Sequence, residues 1–152
     1  MDYSEILQNC EDPAVGAAVL DSLNRLFTSD KQLLLINASE QAIAAKIAQY
    51  LQPHFPDNHI DVEYNRMGKA PKKVVWRKNP DEVYPDIIVH LRETETNVLA
   101  IELKKDSNSE KKKKDILKLR AYRREFGYLH TLFLRLGVGE KSGLVSECEW
   151  VT

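Results

Sequence analysis

The 152-residue chain is poor in nearly every feature that would mark a specialised class. Its two cysteines, Cys10 and Cys148, lie near opposite ends, which leaves no disulfide framework, redox pair or cysteine metal cage. No apolar run approaches the ~20 residues of a membrane span. The opening "MDYSEILQNCEDP" is acidic and interrupted by polar residues, so it does not read as a secretory signal. Gly137, Gly139 and Gly143 lack the P-loop pattern and its lysine-serine ending, which removes the case for nucleotide hydrolysis. His54, His59, His90 and His130 lack zinc-site spacing. What is left is a soluble, cytoplasmic protein, one domain over residues 1–152, long enough to bury a core without staples.

Net charge is almost absent too, at −1, although its parts are not. Up to Asn65, ten acids face three bases, a balance of −7; beyond it, nineteen bases face thirteen acids, a balance of +6. Arg66, Lys69, Lys72, Lys73, Arg77 and Lys78 share a stretch without an acid, and Lys111, Lys112, Lys113 and Lys114 begin a second cluster. Basic groups so gathered steer a polyanion and hold a phosphate backbone without reading bases. Trp76, in "KKVVWRKNP", is a candidate for base stacking.

Periodicity and punctuation give the elements. Asp12 as N-cap and Pro13 at the first helical position predict a helix with an apolar stripe of Val15, Ala18, Val19, Leu23 and Leu26. A short apolar run, "KQLLLIN", follows. Ser39 caps a second predicted helix, whose Ile43, Ile47, Tyr50 and Leu51 share one side until Pro53. "HIDVEYNR" predicts a strand with Ile60, Val62 and Tyr64 on the apolar face and Asp61, Glu63 and Asn65 opposite. A basic loop with Gly68, Pro71 and Pro80 comes next. "HTLFLRLG" predicts a late strand, and "GLVSECEWV" an added edge strand.

Between the loop and the second basic cluster lies "VYPDIIVHLRETETNVLAIELKK", two apolar strands joined by a polar turn. Strand alternation puts Asp86, Ile88 and His90 on one face of the first strand, and Ala100, Glu102 and Lys104 on one face of the second. Paired as a hairpin, the strands bring Asp86 beside Glu102 and Lys104. Carboxylates so placed repel unless a cation lies between them, and hard oxygen ligands suit Mg2+, with Mn2+ as substitute. The Leu103 carbonyl is a candidate further ligand. Such a cluster suits phosphodiester hydrolysis, with Lys104 at the attacking water or the phosphate.

These residues carry a resemblance. "PD" at Pro85–Asp86, followed by "ELK" at Glu102–Lys104, resembles the PD-(D/E)XK nuclease superfamily, and "EYNR...PDIIVHLR...LAIELKK" is similar to its uncharacterised bacterial members. "KLRAY", Lys118 to Tyr122, resembles the Q-x-x-x-Y element of the exonuclease branch, with Lys118 in the place of glutamine. The resemblance runs from about Ser39 to about Leu136. It implies a restriction-endonuclease-like α/β fold, a central mixed β-sheet flanked by helices in the order α-β-β-β-α-β. It also implies a Mg2+-dependent nuclease with Asp86, Glu102 and Lys104 catalytic, joined by a further glutamate, Glu40 or Glu63. Lys118 and Tyr122 would then approach nucleic acid, with DNA as substrate and a homodimer as the expected assembly. The alternative is a nucleic-acid-binding or protein-interaction module on the same fold without catalysis.

Overall fold

The computed structural model describes residues 6, 8–64, 73, 74, 81, 82 and 84–152, with backbone alone at 73, 74, 81 and 82. Helix α1, Pro13–Ser29, starts where Asp12 accepts from the Ala14 N–H at 3.0 Å, so the capping residue satisfies a donor the helix cannot. Helix α3, Glu40–Leu51, is capped by Ser39 in the same way, through the Ala42 N–H at 3.1 Å. Helix α4, Lys113–Phe126, ends at Gly127, which takes the left-handed conformation (φ 67°) that closes many helices. Among the described residues no helix is long and apolar enough to cross a membrane.

Five strands form one mixed sheet in the order β1 (His59–Val62), β4 (Ile87–His90), β5 (Asn97–Lys105), β6 (His130–Leu136), β7 (Val145–Trp150). Only β5 and β6 are parallel, joined through α4; every other neighbouring pair is antiparallel. From α3 onward the elements that build or flank this sheet therefore run helix, β1, β4, β5, helix, β6, with β7 added at the edge.

Both faces of the sheet are covered, and strand alternation decides what covers each. Ile87, Val89, Leu99, Ile101, Leu103, Leu132 and Leu134 point to a core shared with α1 and α3. Ile88, Ala100 and Phe133 point the opposite way, to a second core built on Ile116, Leu119, Tyr122 and Phe126 of α4. The predicted stripe of α1 is buried throughout, and Leu23 and Leu26 are fully enclosed. Each such side chain contributes ~1.5–3 kcal/mol relative to exposure. The central strands β4 and β5 can thus be apolar on both sides, except where chemistry intervenes at one end.

The apolar run at Lys31 forms a one-turn helix, α2 (Lys31–Leu35). Three expectations change. The basic loop contains a two-residue ladder, β2 (Lys73–Val74) against β3 (Asp81–Glu82). The first strand stops at Val62, because Glu63 adopts φ 53° and breaks the alternation. Ile60 and Val62 still join the first core, but Tyr64 swings to the second and packs on the His90 ring, 4.7 Å between centroids. Nor is Asp61 on an open polar face: it bonds the buried His90 at 2.6 Å and pairs with Arg92.

Candidate functional site

The β4–β5 register sets Ile87 opposite Ile101, so Asp86, just before β4, comes level with Glu102. Asp86 Oδ2 accepts from the Leu103 N–H at 2.7 Å, which holds the carboxylate against β5 where strand pairing has ended. The Asp86 and Glu102 carboxyls hydrogen-bond to each other, and the Tyr122 hydroxyl donates to Glu102 Oε1 at 2.8 Å. Burial raises the Asp86 pKa; the Glu102 and Leu103 hydrogen bonds oppose the rise, and the charges of Asp115 and Glu40 add to it. Glu102 is enclosed, so burial and then the neighbouring Asp86 push it well above the ordinary carboxyl value. Both carboxyls are thus pushed toward the protonated form, Glu102 by its full enclosure and the adjoining Asp86.

Both candidate glutamates stand at the same end of the sheet. Glu40 Oε2 accepts from the Lys105 N–H at 2.7 Å, and Lys105 Nζ returns to the Ala38 carbonyl at 3.0 Å, fastening the start of α3 to the end of β5. The Glu63 N–H donates to the Asp86 carbonyl at 3.2 Å, while its carboxylate accepts from Gln41 Nε2 at 3.3 Å. Glu40 is thus turned toward β5 and contributes its charge to Asp86, whereas the Glu63 carboxylate is exposed and turned to α3.

Lys104 Nζ reaches Asp115 Oδ2 at 3.2 Å and Glu110 Oε2 at 3.0 Å. Burial alone would lower the lysine's pKa, but the two acids more than reverse it, so Lys104 stays charged. Neither acid was singled out from the sequence. Asp115 had a signal: it is the one acid in "KKKKDILKLR" and stands two helical turns before Tyr122, on the same side of α4. Glu110 had none, since only the tertiary fold turns it back to β5.

The remaining expected contacts divide. Tyr122 is fully buried beneath the acids and presents nothing to a ligand at the surface. Lys112 pairs with Glu147 and Glu149 at 3.3 and 3.1 Å, so its charge is already compensated. Lys111, Lys113 and Lys114 are exposed, and Lys118 is partly buried. Arg66, Lys69, Lys72, Trp76 and the Lys73 side chain lie outside the described residues.

Asp86 and Glu102 offer hard oxygen donors. The Leu103 carbonyl shares the side of β5 to which its N–H points, by the alternation of an extended chain. Mg2+ is commonly held by one or two carboxylates with water completing its shell, and this set fits that pattern. Among the described residues no group of three or more His, Cys, Asp or Glu side chains stands ready to hold a metal. Comparison with protein-family models, curated proteins and solved structures finds no match to the chain.

Proposed function

We propose that this protein is a Mg2+-dependent nuclease that hydrolyses phosphodiester bonds in DNA, built on a restriction-endonuclease-like domain of the PD-(D/E)XK kind. What supports the reading above all is the convergence of Asp86, Glu102 and a charged Lys104 where β4 begins and β5 ends. With the separate β2–β3 ladder set aside, the elements from α3 to β6 follow the order α-β-β-β-α-β that such a domain would have. The site also lies in the carboxyl-terminal part of β5, toward the end of the sheet where ligands of α/β proteins are usually held.

Asp86, Glu102 and the Leu103 carbonyl would hold the ion, whose chemistry is to neutralise phosphate charge and lower the pKa of a water. Lys104 brings a fixed positive charge to the same end of the sheet, able to orient the attacking water and stabilise charge as water adds to phosphorus and the leaving oxygen departs. Tyr122 keeps Glu102 in place from below, and Asp115 keeps Lys104 protonated and aimed. Glu40 is the better placed of the two glutamates to complete the cluster, through its hold on Lys105.

The test is cleavage. Purified protein with Mg2+ or Mn2+ is incubated with labelled duplex, single-stranded and branched DNA and with RNA, beside Asp86→Ala and Lys104→Ala. Cutting that both variants lose, by at least about a hundredfold, is expected for residues in the reacting site. If nothing is cut while wild type and variants bind nucleic acid alike, the binding-module reading replaces this one.

A further inference from the structure

Lys104 has two acidic partners of opposite kind. Asp115 is buried in α4, its side chain 8% exposed, whereas Glu110 is 71% exposed on the loop between β5 and α4. That loop is stapled at its backbone: Arg135 donates to the Asn108 and Glu110 carbonyls at 2.7 and 2.8 Å, and the Glu110 N–H donates to Asn108 Oδ1 at 3.0 Å. Its start is fixed as well, by the Asp106 N–H on the Leu136 carbonyl at 2.8 Å. The backbone of Glu110 is therefore held while its carboxylate can leave.

The carboxylate lies in the field of three lysines. Lys104 touches it, and Lys114 and Lys118, one turn apart on α4, act on it from a distance; together they hold its pKa below the ordinary value, Lys104 most. Glu110 also borders a groove of about 770 Å3, where Lys111, Lys113 and Arg120 stand with the acids Asp106, Glu147 and Glu149. An exposed anion on a fixed tether, held by Lys104 and in the field of Lys114 and Lys118, marks a position for anions in general. Asp115 would keep Lys104 charged and aimed if Glu110 withdrew.

We propose that the Glu110 carboxylate occupies an anion position that a backbone phosphate takes over when nucleic acid docks, so that Glu110 is a tethered competitor for Lys104, Lys114 and Lys118. This rests on the nuclease reading and adds a selection to it. A lone phosphate must displace an anion that is already in place, whereas a strand that also engages neighbouring lysines displaces it with help. The position favours polyanions over mononucleotides.

The experiment compares wild type, Glu110→Gln and Glu95→Gln, the last an exposed acid in the β4–β5 turn that changes net charge equally. Binding of a labelled oligonucleotide and of tripolyphosphate is measured in chelator, so that nothing is cut, after a melt shows each variant folded. Glu110→Gln should bind the oligonucleotide about two- to fivefold more tightly than Glu95→Gln, the range an exposed ion pair supports. If no oligonucleotide binds but Glu110→Gln still tightens tripolyphosphate, the anion position stands and the nuclease reading falls. Equal gains in both variants, or none with either ligand, overturn the proposal.

Discussion

Glu102 is the residue whose chemistry departs furthest from its composition class. A carboxyl enclosed on a central strand, beside a second carboxyl, is costly when ionised, and burial and the Asp86 contact favour its protonated form. In the unfolded chain both acids ionise near their ordinary values, about 4. The folded state therefore binds more protons above that point, and its stability falls as pH rises through the raised folded values. Melting the chelator-treated protein from about pH 5 to about pH 8 should show this decline. Glu102→Gln, whose amide donates to Asp86 without ionising, should flatten it and raise Tm at the alkaline end. Equal slopes in the two proteins would assign the titration to other groups.

At the scale of elements, two glycines separate strain from collision. A Cβ at Gly137, just after β6, would stand 2.1 Å from the Lys141 carbonyl oxygen, and backbone must move to admit it. Gly127 closes α4 at φ 67° with open space around it, so alanine there meets only the conformational penalty. Gly137→Ala is expected to cost about 1–3 kcal/mol and Gly127→Ala about 1 kcal/mol. Urea unfolding midpoints of the two variants give the order, and the reverse order would refute it. The Gly137 turn matters to the site because the next residue, Val138, donates to Asp106 Oδ1 at 3.1 Å, at the root of the loop that carries Glu110.

Elements of this kind were legible where one local rule governs them. Asp12 and Ser39 announce α1 and α3 because a cap is a contact within three residues. Ile87 to Val89 and Leu99 to Leu103 announce β4 and β5, and their alternation, together with hairpin pairing, places Asp86, Glu102 and Lys104 on one side. The break at Glu63 was not legible, because one positive φ turns Tyr64 to the other face and nothing in "DVEYNR" demands it. Glu110 was hidden for a related reason: its meaning depends on Arg135, twenty-five residues on, holding the loop in place.

For the whole molecule, the near-zero net charge conceals a division that the fold preserves. The acidic part supplies α1, α3 and β1, and the basic part supplies α4 on the opposite face. The candidate site lies where they meet, with Glu40 from the first part set against the end of β5 from the second. A cation entering between Asp86 and Glu102 would compete with the protonation that burial favours there and bind only the folded chain, so binding and folding are linked. At a hundredfold excess over its Kd the ion adds ~2.7 kcal/mol of stability, or roughly 5–10 °C in Tm for a domain of this length. Mn2+ titrated into the protein should produce that rise, larger near pH 8 than near pH 6 because protons are then released more easily. Asp86→Ala should abolish it, and Glu95→Gln, at the far turn, should keep it. A rise that survives in Asp86→Ala would locate the ion away from this pair.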